Sequence, residues 1–428
     1  MATPAHPTLV RALGRRDLTA FAVNRVIGGG IFGIPAVLYL AVGPLSVWAI
    51  VLAGLVVLGV TLCFAEVGSA FRDTGGPYLY AYETFGPAVG FEIGWLMWVT
   101  QLGGFAAVTN LFVDYLGWFA PTLSTGPWRI GIITGLVIVL TTINVLGVRR
   151  AGTVNNIFTL AKLIPLALFV LVGVLFIDGS RLMPSAVPAP AALSGAVLLA
   201  IYAFSGFEVL GVPSGEVHDP ERTIPFSFLA GLGIVALVYV GVQVVAVGTL
   251  PDLGHSARPL ADAAQRIVGP GGALVMVVGA MLSTFGVAHA ILLGAGRMPF
   301  AMAERRQLPA RIAAVHPRFH TPYLGLIVSG LGMLLFTIVT TFASAVSITV
   351  GLRVIVYIVT CAALPVLRRD AARPPASFRA PGGTVLAMAC VAVCLGLLAS
   401  RPRADIIQLA VVLALGWLAW VAASRRDS

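Results

Sequence analysis

The chain has 428 residues, 58% of them hydrophobic and 10% charged, with a mean hydropathy of +0.97. Soluble domains carry about 25% charged residues, so a water-soluble enzyme of this length is excluded. Disorder, collagen and a disulfide scaffold are excluded too, with only four cysteines. A polytopic membrane protein remains, and in that class a net charge of +10 reflects basic cytoplasmic loops rather than nucleic-acid binding.

A helix needs about 20 apolar residues to cross the hydrocarbon. Runs of that kind predict about twelve helices, at 18–42, 45–71, 86–118, 128–147, 156–178, 193–214, 225–249, 270–297, 322–341, 343–365, 382–399 and 405–423. The runs are too long for barrel strands, and backbone groups in lipid need internal partners, so an all-α integral membrane fold is expected. Residues 1–17 form an N-terminal tail. The first run is long, glycine-broken and without a small-residue cleavage site, so no cleaved signal peptide is expected.

The first span reads Val26-Ile27-Gly28-Gly29-Gly30-Ile31-Phe32-Gly33. Each glycine costs a helix about 1 kcal/mol relative to alanine, and three in succession predict an open helix. The sixth span reads Tyr202-Ala203-Phe204-Ser205-Gly206-Phe207-Glu208, again with a glycine, now beside a carboxylate. First and sixth are matching positions in two consecutive sets of five, the pattern of an inverted-repeat transporter with discontinuous helices 1 and 6. An unwound stretch frees N–H groups that suit a carboxylate, and carbonyls that suit an ammonium group. An α-amino acid carries both charges on one carbon. The competing reading of Gly28–Gly30 is close helix packing.

Several polar residues lie within the spans. Lys162, in the fifth, is the only lysine; the other 26 basic residues are arginine. Arginine stays protonated, whereas a buried lysine can give up its proton. Lys162 is therefore the candidate titrating group, or a built-in cation in place of a bound Na⁺, with a snorkelling side chain as the alternative. Glu208 is expected to carry a proton or to bond the free N–H groups of the sixth-span break. Glu66 has a structural role. Glu92 and Arg353 are left to pair with charges that the sequence does not name. His289 is read as a hydrogen-bonded interior residue, with titration as the alternative. Ser283 and Thr284 are candidate hydroxyls near Lys162. Trp95, Trp98 and Tyr202 serve either as gates or as packing. Cys63, Cys361, Cys390 and Cys394 have no disulfide or zinc spacing and read as small hydrophobes.

Placing the N-terminus inside puts eighteen arginines in cytoplasmic segments and six in outer ones. Both termini are then cytoplasmic.

These residues resemble the amino acid–polyamine–organocation (APC) permeases from about Leu18 to Arg369. The resemblance rests on five motifs in order. They are Gly28-Gly29-Gly30-Ile31-Phe32, then Gly75-Gly76-Pro77-Tyr78 with Phe85-Gly86-Pro87, Gly90-Phe91 and Gly94-Trp95. Next come Phe204-Ser205-Gly206-Phe207-Glu208, then Glu216, Asp219-Pro220, Arg222 and Ile224-Pro225, and last Arg297 through Thr321-Pro322. The resemblance implies a 5+5 inverted-repeat core over 18–365, a cytoplasmic loop at 366–381, and two accessory helices with a short tail at 382–428. It implies alternating access and an amino acid or related amine as substrate. It would set Gly28, Gly29, Gly30 and Ile31 against the carboxylate, with Ile27, Phe204 and Ser205 offering backbone to the amino group and Gly206 at the second break. Lys162 looks like the fifth-helix lysine that stands in for sodium, and Glu208 like the acid of proton-dependent members. Many relatives have Ser or Ala where this chain has Gly29, so substrate identity does not carry over.

The expected function is a secondary transporter of amino acids in the cytoplasmic membrane, proton-coupled, with exchange of two amino acids as the alternative. Its partners are a small molecule, a proton and lipid; no cofactor, metal or catalytic residue is expected. A channel would need a repeated pore element, and an enzyme a catalytic set. The chain has no H-E-x-x-H, G-x-S-x-G or P-loop motif.

Overall fold

The computed structural model describes residues 14–71, 76–146, 151–184, 188–209, 220–304, 307–319, 321–370 and 376–424. Residues 1–13, Gly75, Glu216, Asp219 and arginines Arg72, Arg149, Arg150, Arg305, Arg306, Arg373, Arg425 and Arg426 lie outside those ranges. The described residues are overwhelmingly helical and contain no strand.

Each predicted run yields a helix or a pair of helices. The first is divided into α1 (Arg15–Val26) and α2 (Ile34–Val42), with a 3-10 turn at Gly29–Phe32 between them. Then come α3 (Ser46–Ser69), α4 (Gly76–Phe85), α5 (Pro87–Leu116), α6 (Gly126–Leu146) and α7 (Ala151–Gly173). The sixth run appears as α8 (Pro190–Ala203), followed by a 3-10 turn at Phe207–Val209. The rest are α9 (Pro220–Thr249), α10 (Pro259–Val268), α11 (Pro270–Ala295), α12 (Arg297–Glu304), α13 (Tyr323–Val339), α14 (Phe342–Arg369), α15 (Gly383–Ala399) and α16 (Arg403–Ser424). The short helices α4, α10 and α12 were not anticipated, because a search for runs of membrane-spanning length passes over them.

Local chemistry sets the helix starts. Proline occupies the first turn of α2, α5, α8, α10 and α11, where its missing N–H costs no helical bond. Thr341 and Ser344 exchange side-chain and backbone hydrogen bonds in a capping box that starts α14.

Among the described residues, seven segments are each long and apolar enough to cross a membrane: Ile34–Ser69, Pro87–Leu116, Gly126–Leu146, Phe226–Thr249, Pro270–Glu304, Phe342–Arg369 and Arg403–Ala423. Four shorter apolar stretches accompany them, Lys162–Phe176, Pro190–Ala203, Tyr323–Val339 and Gly383–Ala399. The central helix is α5, which packs against α4, α11, α13, α14 and α16. Around it α1 lies on α9, α2 on α8, and α3 on α8 and α9. The outward faces of α6 and α16 are apolar, with Ile138, Val139, Leu415 and Leu418 exposed, as suits contact with lipid.

Polar ties fix the periphery. Glu66 of α3 accepts two hydrogen bonds from the Arg368 guanidinium of α14, at 2.6 and 2.9 Å, and a third from the Ala380 N–H at 2.7 Å. Arg401 bonds Asp405 at 2.6 Å and the Ser347 carbonyl at 2.9 Å, holding the start of α16 to α14. The four cysteines are buried and free.

Candidate functional site

The glycine triplet does unwind. The helical bonds of α1 end with the Ile27 N–H on the Val23 carbonyl, and the 3-10 turn closes with the Gly33 N–H on the Gly30 carbonyl. A new helical start leaves its first N–H groups without partners inside the helix, which places such donors at Gly29 and Gly30, the first residues of the 3-10 turn. The second break follows α8. There the Ser205 N–H and hydroxyl both donate to the Tyr202 carbonyl, at 3.1 and 2.5 Å. Gly206 then turns the chain with φ +116°, a conformation that L side chains rarely adopt.

The two breaks meet. A Cβ placed on Gly30 would stand 2.9 Å from the Tyr202 ring. On Gly29 it would stand 2.7 Å from Thr284 Cγ2 and 3.2 Å from Val108 Cγ1, whereas Gly28 has nothing nearer than 3.8 Å. Ile27, Gly29, Gly30, Ile31 and Phe204 are buried, while Gly28, Ser205 and Gly206 are half-buried. At the junction Gly28 and the Ser205–Gly206 turn are therefore the least buried parts of the backbone.

Tyr239, from the middle of α9, was missed in the sequence. Its hydroxyl lies 2.9 Å from the Val26 carbonyl, which closes α1, and 3.0 Å from the Ala203 carbonyl, which closes α8. One side chain thus bridges both breaks, and its ring meets Phe204 edge-on at 5.2 Å. The signal that could have found it is general: a buried tyrosine hydroxyl in an apolar span must find a partner. Tyr115 of α5 acts similarly, donating to the Phe32 carbonyl at 2.8 Å. Tyr239→Phe is expected to cut substrate uptake about tenfold, equivalent to about 1.4 kcal/mol for the lost bridging bond. Uptake normalised to inserted protein measures this, and a wild-type rate would exclude the bridge.

Lys162 is buried, with 4% exposure, and its Nζ donates to the Asn24 carbonyl at 2.7 Å. It therefore reaches the last turn of α1 from α7 instead of snorkelling. Thr284 spends its hydroxyl on the Ala280 and Met281 carbonyls, at 2.7 and 3.1 Å, so its methyl is what faces Gly29. The Ser283 hydroxyl is buried without a hydrogen-bond partner.

Glu208 and Arg353, left unassigned to each other in the sequence, form an ion pair at 2.5 Å. The other Glu208 oxygen accepts the Gly206 N–H at 2.5 Å. Glu92 stands apart from them. Both its oxygens are buried without hydrogen-bond partners, against Trp95 and Gly416 of α16. Trp95 bonds the Val412 carbonyl of α16 and Trp98 the Ser329 hydroxyl of α13, each at 3.0 Å, so both act in packing here. His289 Nδ1 lies 3.1 Å from the Asn144 amide nitrogen, an interior hydrogen-bonding position. Among the described residues no cluster of three or more His, Cys, Asp or Glu suits a metal ion.

Paired breaks on a helical membrane scaffold match the comparisons with known proteins. The family model described as amino acid permease covers residues 13–420. The chain belongs to the amino acid permease family. Among similar proteins, the methylthioribose transporter of Bacillus subtilis is 28% identical across 98% of this chain and 95% of its own length. The branched-chain amino acid permease BcaP of the same organism is 26% identical, over 100% of this chain and 96% of its own. The serine/threonine exchanger SteT, also from Bacillus subtilis, is 28% identical over 87% of each chain. Membership makes the chain a multi-pass membrane permease for small molecules, not an enzyme.

Proposed function

We propose that this permease carries an amino acid across the cytoplasmic membrane by alternating access, in symport with a proton. The observation that carries the reading is the junction of the two breaks under Tyr239. Unbonded N–H groups at the start of the Gly28–Ile31 turn attract a carboxylate, and the carbonyls that end α8 attract an ammonium group. The substrate's α-carbon then lies beside Gly28, where a ligand has room, with Ser205 and Gly206 across from it.

Twelve crossings are proposed, ten in the 5+5 core over residues 18–365 and two in the accessory pair over 382–428. The tail 1–17 and the loop 366–381 lie in the cytoplasm, following the arginine bias. Of the two groups considered for coupling, Lys162 and Glu208, the proton is assigned to Lys162. A charged Lys162 pulls on the carbonyl end of α1, and a neutral one releases it, so protonation biases the position of α1.

Uptake of radiolabelled compounds into proteoliposomes tests the reading. The panel holds branched-chain amino acids, serine, threonine and methylthioribose, the compounds that the relatives' names suggest. Saturable amino acid uptake, driven by an inward proton gradient and collapsed by a protonophore, is the expected result. Uptake that instead demands internal amino acid would make the protein an exchanger. Uptake of methylthioribose alone would remove the zwitterion from the site.

A further inference from the structure

We infer that Arg353 and Glu208 form a fixed ionic latch that positions the second break. The inference deepens the transport reading and rests on it for its functional meaning.

Glu208 is occupied at both ends of its carboxylate. One oxygen accepts from the Arg353 guanidinium of α14, and the other accepts the Gly206 N–H. The two side chains are only 11% and 16% exposed, so loss of either charge would strand the other in a poorly solvated place. Aromatic rings face this turn. From α3 it is Phe64 that meets the Phe207 ring, at 5.5 Å, and from α14 it is Tyr357, at 5.4 Å. Tyr202 and Tyr357 flank Arg353. A carboxylate with two charge-assisted bonds in an aromatic setting is a good clamp.

The clamp has a second consequence. The Gly206 N–H is the amide that a substrate carboxylate would seek at this break, and Glu208 already fills it. The internal carboxylate leaves anion binding to the Gly28–Ile31 turn alone. The α8 break is left with its carbonyls, and so takes the ammonium end. Arg353 thereby orients the zwitterion without touching it, as a positioning residue.

Proteoliposome uptake and its pH profile, together with thermal unfolding of the purified protein, form the test. Arg353→Gln is expected to lower uptake at least tenfold by stranding Glu208, and Arg353→Lys to recover it to within threefold. The double variant Glu208→Gln/Arg353→Gln, which removes both charges and keeps a carbonyl for the Gly206 N–H, is expected to exceed Arg353→Gln and to keep the wild-type pH profile. A flat pH profile in that double variant, or losses that simply add, would overturn the latch. So would Arg353→Lys behaving like Arg353→Gln. Thermal unfolding needs no transport, so it separates failure of the latch from failure of the transport reading. Arg353→Gln is expected to melt below both the wild type and the double variant, because it strands one buried charge; equal melting of Arg353→Gln and the double variant would end the inference, whatever the uptake.

Discussion

Gly29→Ala is expected to reduce uptake between about fivefold and a hundredfold while insertion stays normal, an overpacking cost of about 1–3 kcal/mol. The added Cβ would stand 2.7 Å from Thr284 Cγ2, closer than real contacts allow. That methyl cannot swing aside cheaply. The Thr284 hydroxyl is bonded to the Ala280 and Met281 carbonyls, so rotating the side chain sacrifices those bonds. The 3-10 turn would have to move instead, displacing the N–H groups offered to the ligand. Thr284→Ser keeps the hydroxyl and deletes the methyl, so the pair Gly29→Ala/Thr284→Ser should return to within about threefold of wild type, in line with coupling between touching residues. Gly29→Leu has no such remedy and should abolish binding. Initial uptake rates and ligand-induced thermal shifts measure both steps; a Gly29→Leu protein that transports normally would show that no ligand rests on that backbone.

Lys162→Ala is expected to erase the pH dependence of uptake while substrate binding partly survives. Lys162 Nζ lies 2.7 Å from the Asn24 carbonyl, at the negative end of the α1 dipole. A cation in a partly buried place of that kind contributes up to about 2 kcal/mol, roughly thirtyfold in a conformational equilibrium. Lys162→Arg keeps the charge but does not release a proton, so it should bind substrate and yet transport without response to pH. Uptake profiles and equilibrium binding of both variants decide the matter. A Lys162→Ala protein with the wild-type pH profile would free Lys162 of any role in coupling.

The parts of this fold that were legible in the sequence are those written in consecutive residues. Gly28-Gly29-Gly30 and Phe204-Ser205-Gly206 announce interruptions because glycine penalises a helix where it stands; α1 ends before the first motif, and α8 ends at the second, with residues 210–219 of the sixth run outside the described residues. The apolar runs announce an all-helical membrane protein because lipid forbids unsatisfied backbone. What could not be read was side-chain pairing over distance. Glu208 and Arg353 are 145 residues apart, and no local pattern links them. Tyr239 sits in an apolar run that looks like any other, and only the folded chain reveals that its hydroxyl reaches the ends of both α1 and α8. Thr284 was visible as a hydroxyl, but its methyl proves to be the group that shapes the space at Gly29.

The Tyr239 bridge carries a shortage within it. A phenol has one hydrogen to give, yet two carbonyl oxygens stand at 2.9 and 3.0 Å from it. At any instant one of those acceptors goes without, in a place where water has little access. An arriving ammonium group brings three hydrogens and can satisfy whichever oxygen is wanting. On the proposed transport reading, that deficit favours an amine, and an uncharged ligand with fewer hydrogens to donate would leave more of it unrelieved.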